Sequence, residues 1–272
     1  MEGIKGLFFD VGGTVFDWKN TARENIQKLA DEKGELIDSE AFANAWRAEM
    51  FKIHTQVRQG NLPWMTSDDM HLQALAHMAA DYPLLNEIDN LALVKSTWHN
   101  LKPFAGAPEA IDRLRTKYTV VVLTILSWES IVCSSKSARV QWDGILSCEF
   151  LGYYKPSLQA YLKATRLLGL KPSEAMMVAA HEGDLAAARA GVSGGTGVSG
   201  AGALAPPQPL IHPIPDKAAL QAISALDGVP VFLEVADAVA HGVGILTHEK
   251  GPLTLLATGR GEAAHARVHH AV

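Results

Sequence analysis

Leu7-Phe8-Phe9-Asp10-Val11-Gly12-Gly13-Thr14-Val15-Phe16-Asp17-Trp18 decides how this chain is read. An apolar run of strand length stops in a carboxylate and turns at once through two glycines. In an open α/β sheet that carboxylate stands at the carboxyl end of a strand, where such sheets bind their ligands. The glycines let backbone N–H groups come close to whatever Asp10 meets. Without further support the same pattern reads as an Asp that merely caps the next turn.

Outward from this stretch, the first feature is a long interval without strands. Thr21 to Lys33 reads as a helix stopped by Gly34, and Ser39 reads as the cap of a second helix running to about Gln59. Phe42, Ala45, Trp46, Met50 and Ile53 make the apolar stripe of that second helix. A third helix starts at Ser67, and a fourth runs from Glu87 to Trp98. Four successive helices between strands predict a helical domain inserted into a larger fold.

From Pro108 the rhythm becomes α/β. A helix over Glu109 to Lys117 leads into the β-branched run Tyr118 to Thr124, typical of a strand buried on both faces. A helix over Trp128 to Ala138, a strand over Gly144 to Phe150 and a helix ending at Leu168 follow. The strand Ala175 to Ala180 and a helix from Asp184 complete the series. The fold class expected is α/β, a doubly wound parallel sheet carrying the inserted helices. The organisation expected is a core of residues 1–16 and 104–190, a helical cap of 17–103, and an atypical Gly/Ala/Pro-rich segment of 191–272. Residues 191–200 read as a flexible linker.

Composition bounds the function. The chain has 272 residues, 48% hydrophobic and 19% charged, with net charge −5. That balance offers no general attraction to nucleic acid or anionic membranes. No apolar stretch is long enough to span a bilayer. The two cysteines, Cys133 and Cys148, make no disulfide framework, and the start of the chain shows no signal-peptide pattern. A cytoplasmic protein is expected, with pairing into a homodimer left open. No His/Cys cluster stands at metal-ligand spacing, so no metal or other cofactor is expected.

The strand ends carry polar residues in chain order: Asp10 with Thr14, then Thr124, Lys155, and His181 with Asp184. This set resembles the haloacid dehalogenase (HAD) superfamily. Within it, the stretch from Phe9 to Trp18, Ala45-Trp46-Arg47 and Val178 to Ala188 are similar to type II L-2-haloacid dehalogenases. The resemblance implies a hydrolase that takes a small 2-halocarboxylate without a metal. Asp10 is its nucleophile and forms an ester, Lys155 keeps Asp10 ionised, and Asp184 orients Lys155 or assists the hydrolytic water. Thr14, Arg47, Thr124, Tyr161 and His181 fall on substrate-binding positions, with Arg47 covering the site and receiving the halide. Read without the resemblance, Lys155 is a loop lysine and Arg47 a solvated helix residue. Likewise Thr124 is a helix cap, His181 a hydrogen-bonded structural residue and Tyr161 a core residue.

Two positions bear on the chemistry. Phosphatases of the superfamily place an acid where this chain has Gly12, and a magnesium-binding Asp where it has Ala180. A phosphate ester needs charge neutralisation and a proton for its leaving group, whereas a halide leaves unprotonated. The chain also departs from the dehalogenases. Thr124-Ile125-Leu126 stands where they have Ser-Asn-Gly, Ala179 and His181 replace a Ser and an Asn, and Gly12 replaces an aromatic residue. A magnesium-dependent phosphatase and a non-catalytic anion-binding protein are the alternatives.

Overall fold

The computed structural model describes residues 4–181, 183, 184, 187 and 188, together with the strand residues 243–246 and 254–257. The linker reading of 191–200 and the helix expected to continue beyond Ala188 lie outside the described residues. Four strands, β1 (Gly6–Phe9), β2 (Thr119–Thr124), β3 (Gly144–Ser147) and β4 (Ala175–Val178), form one parallel sheet in the order β3-β2-β1-β4. The strands β5 (Val243–Leu246) and β6 (Thr254–Ala257) make a separate antiparallel pair.

The register explains why β1 leads to the site. Phe9 lies opposite Val122 on one side and Val178 on the other, so β1 sits inside the sheet with a neighbour on each edge. Asp10 continues the ladder by donating its N–H to the Val178 carbonyl at 2.9 Å. Thr124 ends β2 opposite Ser147 of β3. The four β1 residues are all buried, as expected of a strand covered on both faces.

Between β1 and β2 run α1 (Trp18–Lys33), α2 (Ser39–Arg58), α3 (Ser67–Met78) and α4 (Asn90–Trp98). The chain leaves and re-enters the sheet layer at adjacent points. Asp17 N–H donates to the Lys102 carbonyl at 2.7 Å, and Phe104 N–H donates to the Val15 carbonyl at 2.9 Å. Helices α1, α2 and α3 pack in sequence, with Phe42, Trp46, Met50 and Ile53 of α2 buried among them. Helices α5 (Ala107–Arg115), α6 (Trp128–Ala138), α7 (Cys148–Leu151) and α8 (Leu158–Leu167) accompany the sheet.

Several sequence boundaries move, each for a local reason. Asp38, not Ser39, caps α2, because its Oδ1 accepts from the N–H groups of Glu40 and Ala41. Helix α4 starts at Asn90 instead of Glu87, since Asp89 caps it and Pro83–Asn86 forms a separate 3-10 turn. The largest correction concerns Gly144 to Phe150, expected as one strand. Ser147 accepts from Glu149 N–H at 3.1 Å, so β3 stops there and Cys148–Leu151 winds into one turn closed by Gly152 at φ +71°.

Candidate active site

Asp10 stands at the mouth of the sheet with both carboxylate oxygens occupied. Thr14 Oγ1 donates to Oδ2 at 3.0 Å, and Lys155 Nζ donates to Oδ1 at 3.0 Å. The Thr14 oxygen also accepts from Ala180 N–H at 2.9 Å, tying the loop after β1 to the end of β4. That loop needs its second glycine. Gly13 has φ +90°, and a Cβ there would lie 3.2 Å from the His181 ring.

Lys155 bridges two carboxylates, reaching Asp184 Oδ2 at 2.6 Å as well as Asp10. Only 6% of each of Asp10 and Lys155 is exposed. Burial alone would raise the pKa of Asp10, but the Lys155 ammonium, seconded by His181 and Thr14, holds it below the ordinary carboxylate value. Burial alone would lower Lys155, and Asp10 and Asp184 together carry it above the ordinary lysine value. Asp10 is therefore an ionised carboxylate with a permanent cation at its side.

Arg47 approaches from α2. Its guanidinium carbon lies 4.5 Å from the Phe51 ring centroid, 5.0 Å from Trp18 and 5.7 Å from Trp98. Such a box holds a cation by cation–π attraction while leaving its donors free. Nη1 is buried without a hydrogen-bond partner, and Nη2 lies 3.9 Å from where a Cβ on Gly12 would be. Burial pulls its pKa down to about 10, against the pull of Asp10, so it stays charged near neutrality. A buried guanidinium with a donor turned to this cavity beside Asp10 suits an anion.

These groups line a cavity of about 260 Å³. Of the residues expected from sequence, Asp10, Arg47, Thr124, Lys155, His181 and Asp184 face it. Thr14 stands behind Asp10. Tyr161, expected at a substrate-binding position, does not line the cavity. Its hydroxyl donates to Asp184 Oδ1, so it positions that carboxylate from behind. Thr124 faces the cavity, and its Oγ1 accepts from Leu126 N–H at 3.1 Å; the helix-cap reading of Thr124 does not hold, because Leu126 precedes α6 and Ser127 caps that helix. His181 Nε2 lies 3.0 Å from the Gly12 carbonyl and 3.8 Å from Asp10 Oδ2.

Sequence reading missed a second stripe on α2. Phe51, His54, Thr55 and Arg58 line the cavity together with Arg47. Their spacing of i, i+4, i+7, i+8 and i+11 covers roughly 100° of helix circumference. The signal lay in the periodicity, but a polar stripe resembles a solvated face. Sequence spacing also hid a contact between α3 and α6. Asp68 Oδ1 accepts from the Ser127 and Ser130 hydroxyls, each at 2.9 Å, while Oδ2 meets His99 Nε2 at 2.6 Å. One donor atom each from Asp68, His99 and Glu129 lies within 4.8 Å of the others, a grouping of possible ligands that spacing does not show.

An ionised carboxylate at the end of an inner parallel strand, with a lysine, a threonine and a following Asp around it, decides the family when set beside known proteins. Residues 4–191 match the haloacid dehalogenase-like hydrolases. The chain belongs to that family. The crystal structure of the L-2-haloacid dehalogenase PA0810 is similar at 33% identity and TM-score 0.65, covering 69% of this chain and 81% of that one. A glyceraldehyde 3-phosphate phosphatase of Methanothermobacter thermautotrophicus is 26% identical, over 70% of this chain and 84% of its own length. An (S)-2-haloacid dehalogenase of Pseudomonas sp. strain YL is 24% identical, over 70% of this chain and 80% of its own. This member of the haloacid dehalogenase-like hydrolases is thus similar to proteins named for two different reactions. Among its described residues, no helix is long and apolar enough to cross a membrane.

Proposed function

We propose that this hydrolase opens the carbon–halogen bond of a 2-halocarboxylate without a divalent metal, with residues 17–103 acting as a cap over the site. Asp10 attacks C2, and the halide leaves with the bonding electron pair toward the Arg47 guanidinium. An ester links Asp10 to the acid. Water then attacks the Asp10 carbonyl carbon, the acyl C–O bond breaks, and a 2-hydroxy acid leaves with Asp10 regenerated. Lys155 keeps Asp10 ionised for the first step. Asp184, held by Lys155 and Tyr161, takes the proton of the hydrolytic water. Splitting the displacement into two steps at one fixed carboxylate is the contribution of the sheet. The Arg47 box supplies charge stabilisation where negative charge develops.

The observation that carries this reading is the set of carboxylates. Among the described residues that line the cavity, only Asp10 and Asp184 are acidic, and the Lys155 ammonium lies between them. Gly12 offers no acid for an alkoxide, and Ala180 offers only a backbone N–H, which is bound to Thr14. The similarity to the structurally known L-2-haloacid dehalogenase supports the same reaction. The similarity to a phosphatase supports a second reading, a magnesium-dependent phosphate monoester hydrolase.

Halide release from L-2-chloropropionate in the presence of EDTA, abolished in Asp10→Asn, is the expected result. A single turnover in heavy-oxygen water then puts one label into the peptide that contains Asp10. Magnesium-dependent phosphate release with no halide release from any 2-haloacid overturns the proposal. Ligand-induced thermal stabilisation without turnover would instead mark a protein that binds the acid only.

A further inference from the structure

The α2 stripe extends past the reacting groups, and its outer half has no role in the chemistry above. Arg47 and Arg58 are eleven residues apart, about 16 Å along the helix axis. Lys155 is committed to Asp10 and Asp184, and Arg47 sits at the inner end against Gly12. Arg58 is exposed and lines the same cavity, and its side chain has no hydrogen bond or ion pair among the described residues. Between the two arginines stands His54, only 4% exposed, with Nε2 buried and lacking a hydrogen-bond partner. Buried polar atoms in native structures are generally hydrogen-bonded, to protein, water or ligand, and this one belongs to a residue that lines the cavity. Burial, Arg58, Arg47 and Lys155 all lower its pKa, to about 4, so near neutrality the ring is an uncharged hydrogen-bonding group and not another cation.

The cavity is also larger than a short acid requires. At about 30 Å³ of liquid volume per water, 260 Å³ is room for roughly eight or nine waters. A chlorinated three-carbon acid has only about six non-hydrogen atoms. Part of this room comes from Gly12. A Cβ there would point between Leu126 Cδ1 at 3.5 Å and Arg47 Nη2 at 3.9 Å, so any larger side chain would grow into the space beside the guanidinium.

We propose that Arg58 and His54 form a second anion subsite at the outer end of this cavity, and that the substrate is a 2-substituted dicarboxylate whose far carboxylate lies there. The inner half of this assignment rests on the dehalogenase reading; the outer half rests on α2 alone. Arg58 supplies the charge and two parallel donors for a carboxylate, and His54 Nε2 completes the contact from its buried side.

The test uses adipate and hexanoate, which have equal carbon number and differ by one carboxylate, titrated calorimetrically into the full-length wild-type protein. Adipate is expected to bind at least tenfold more tightly. The preference should fall to near parity in Arg58→Ala and be partly retained in Arg58→Lys. Equal binding of the two acids by the wild type, or a preference that survives Arg58→Ala, overturns the subsite. Turnover separates the two readings. Halide release from both 2-bromoadipate and 2-bromohexanoate with equal KM refutes the subsite and leaves the reaction standing. An adipate preference that depends on Arg58, without halide release, refutes the reaction and leaves the subsite standing.

Discussion

Replacing His54 by Phe should remove a defined part of the acid sensitivity of folding. Phe fits the site, because the His54 ring already packs edge-on against Tyr154 at 5.0 Å and Phe51 at 5.8 Å. It also removes a buried nitrogen that has no partner, so stability at pH 7.5 should be unchanged or slightly higher. In the unfolded chain the imidazole has its ordinary pKa of 6.5, whereas in the folded protein burial and the nearby cations hold it at about 4. Above pH 6.5 both states are neutral and His54 adds no pH dependence. As pH falls below 6.5 the unfolded state gains protons that the folded state refuses, so stability drops until about pH 4 and then levels off. Each tenfold difference in protonation is worth about 1.4 kcal/mol, which makes the loss about 2 kcal/mol between pH 7.5 and pH 5. Urea titrations of wild type and His54→Phe at both pH values measure it. His71 is fully buried and also pushed well below its ordinary pKa by burial, but it is present in both proteins and cancels. Equal losses in the two proteins between those pH values would refute the assignment of His54 as a buried neutral base.

Two further substitutions probe the inner site. Lys155→Met leaves Asp10 and Asp184 buried without their cation, so turnover should fall by roughly a thousandfold or more and stability at pH 7 by about 3–5 kcal/mol. That loss should shrink toward pH 4 as the carboxylates take up protons; a urea midpoint that is insensitive to pH contradicts it. Ile125 lines the cavity; Ile125→Asn places an amide there, as the resemblance to the dehalogenases implies for this position, and halide release should rise by about tenfold, below the 10²–10³ of a full oxyanion donor. An unchanged kcat would show that Arg47 alone serves the departing ion.

The parts of this protein legible from sequence are those where local chemistry and global position coincide. Asp10 ends an apolar run, and an apolar run ending in a carboxylate has one plausible place in a parallel sheet. Lys155 and Asp184 could be grouped with it because strand ends converge regardless of sequence distance. Residues 144–150 misled because Cys148, Phe150 and Leu151 suit a strand or a helical turn equally well, and the Ser147 hydroxyl decided between them. Tyr161 falls on a substrate-binding position of the family it resembles, but in the fold its hydroxyl is taken up by Asp184. His54 and Arg58 were passed over because only the packing of α2 over the sheet turns a polar stripe into a wall. The Asp68–His99 contact joins a residue of α3 to the one just past the end of α4, 31 apart in sequence, and no periodicity within either helix reports it.

The division between sheet and α2 has a consequence for how such a protein changes over generations. Bond making and breaking is assigned to side chains rooted at strand ends, where a shift of a fraction of an ångström would be felt throughout the buried layer. The features that would distinguish one molecule's size and shape from another's stand farther along α2, on Phe51, His54, Thr55 and Arg58, one turn and more beyond Arg47. New diets can therefore be acquired by altering a few letters on that ribbon while the reacting centre is inherited intact.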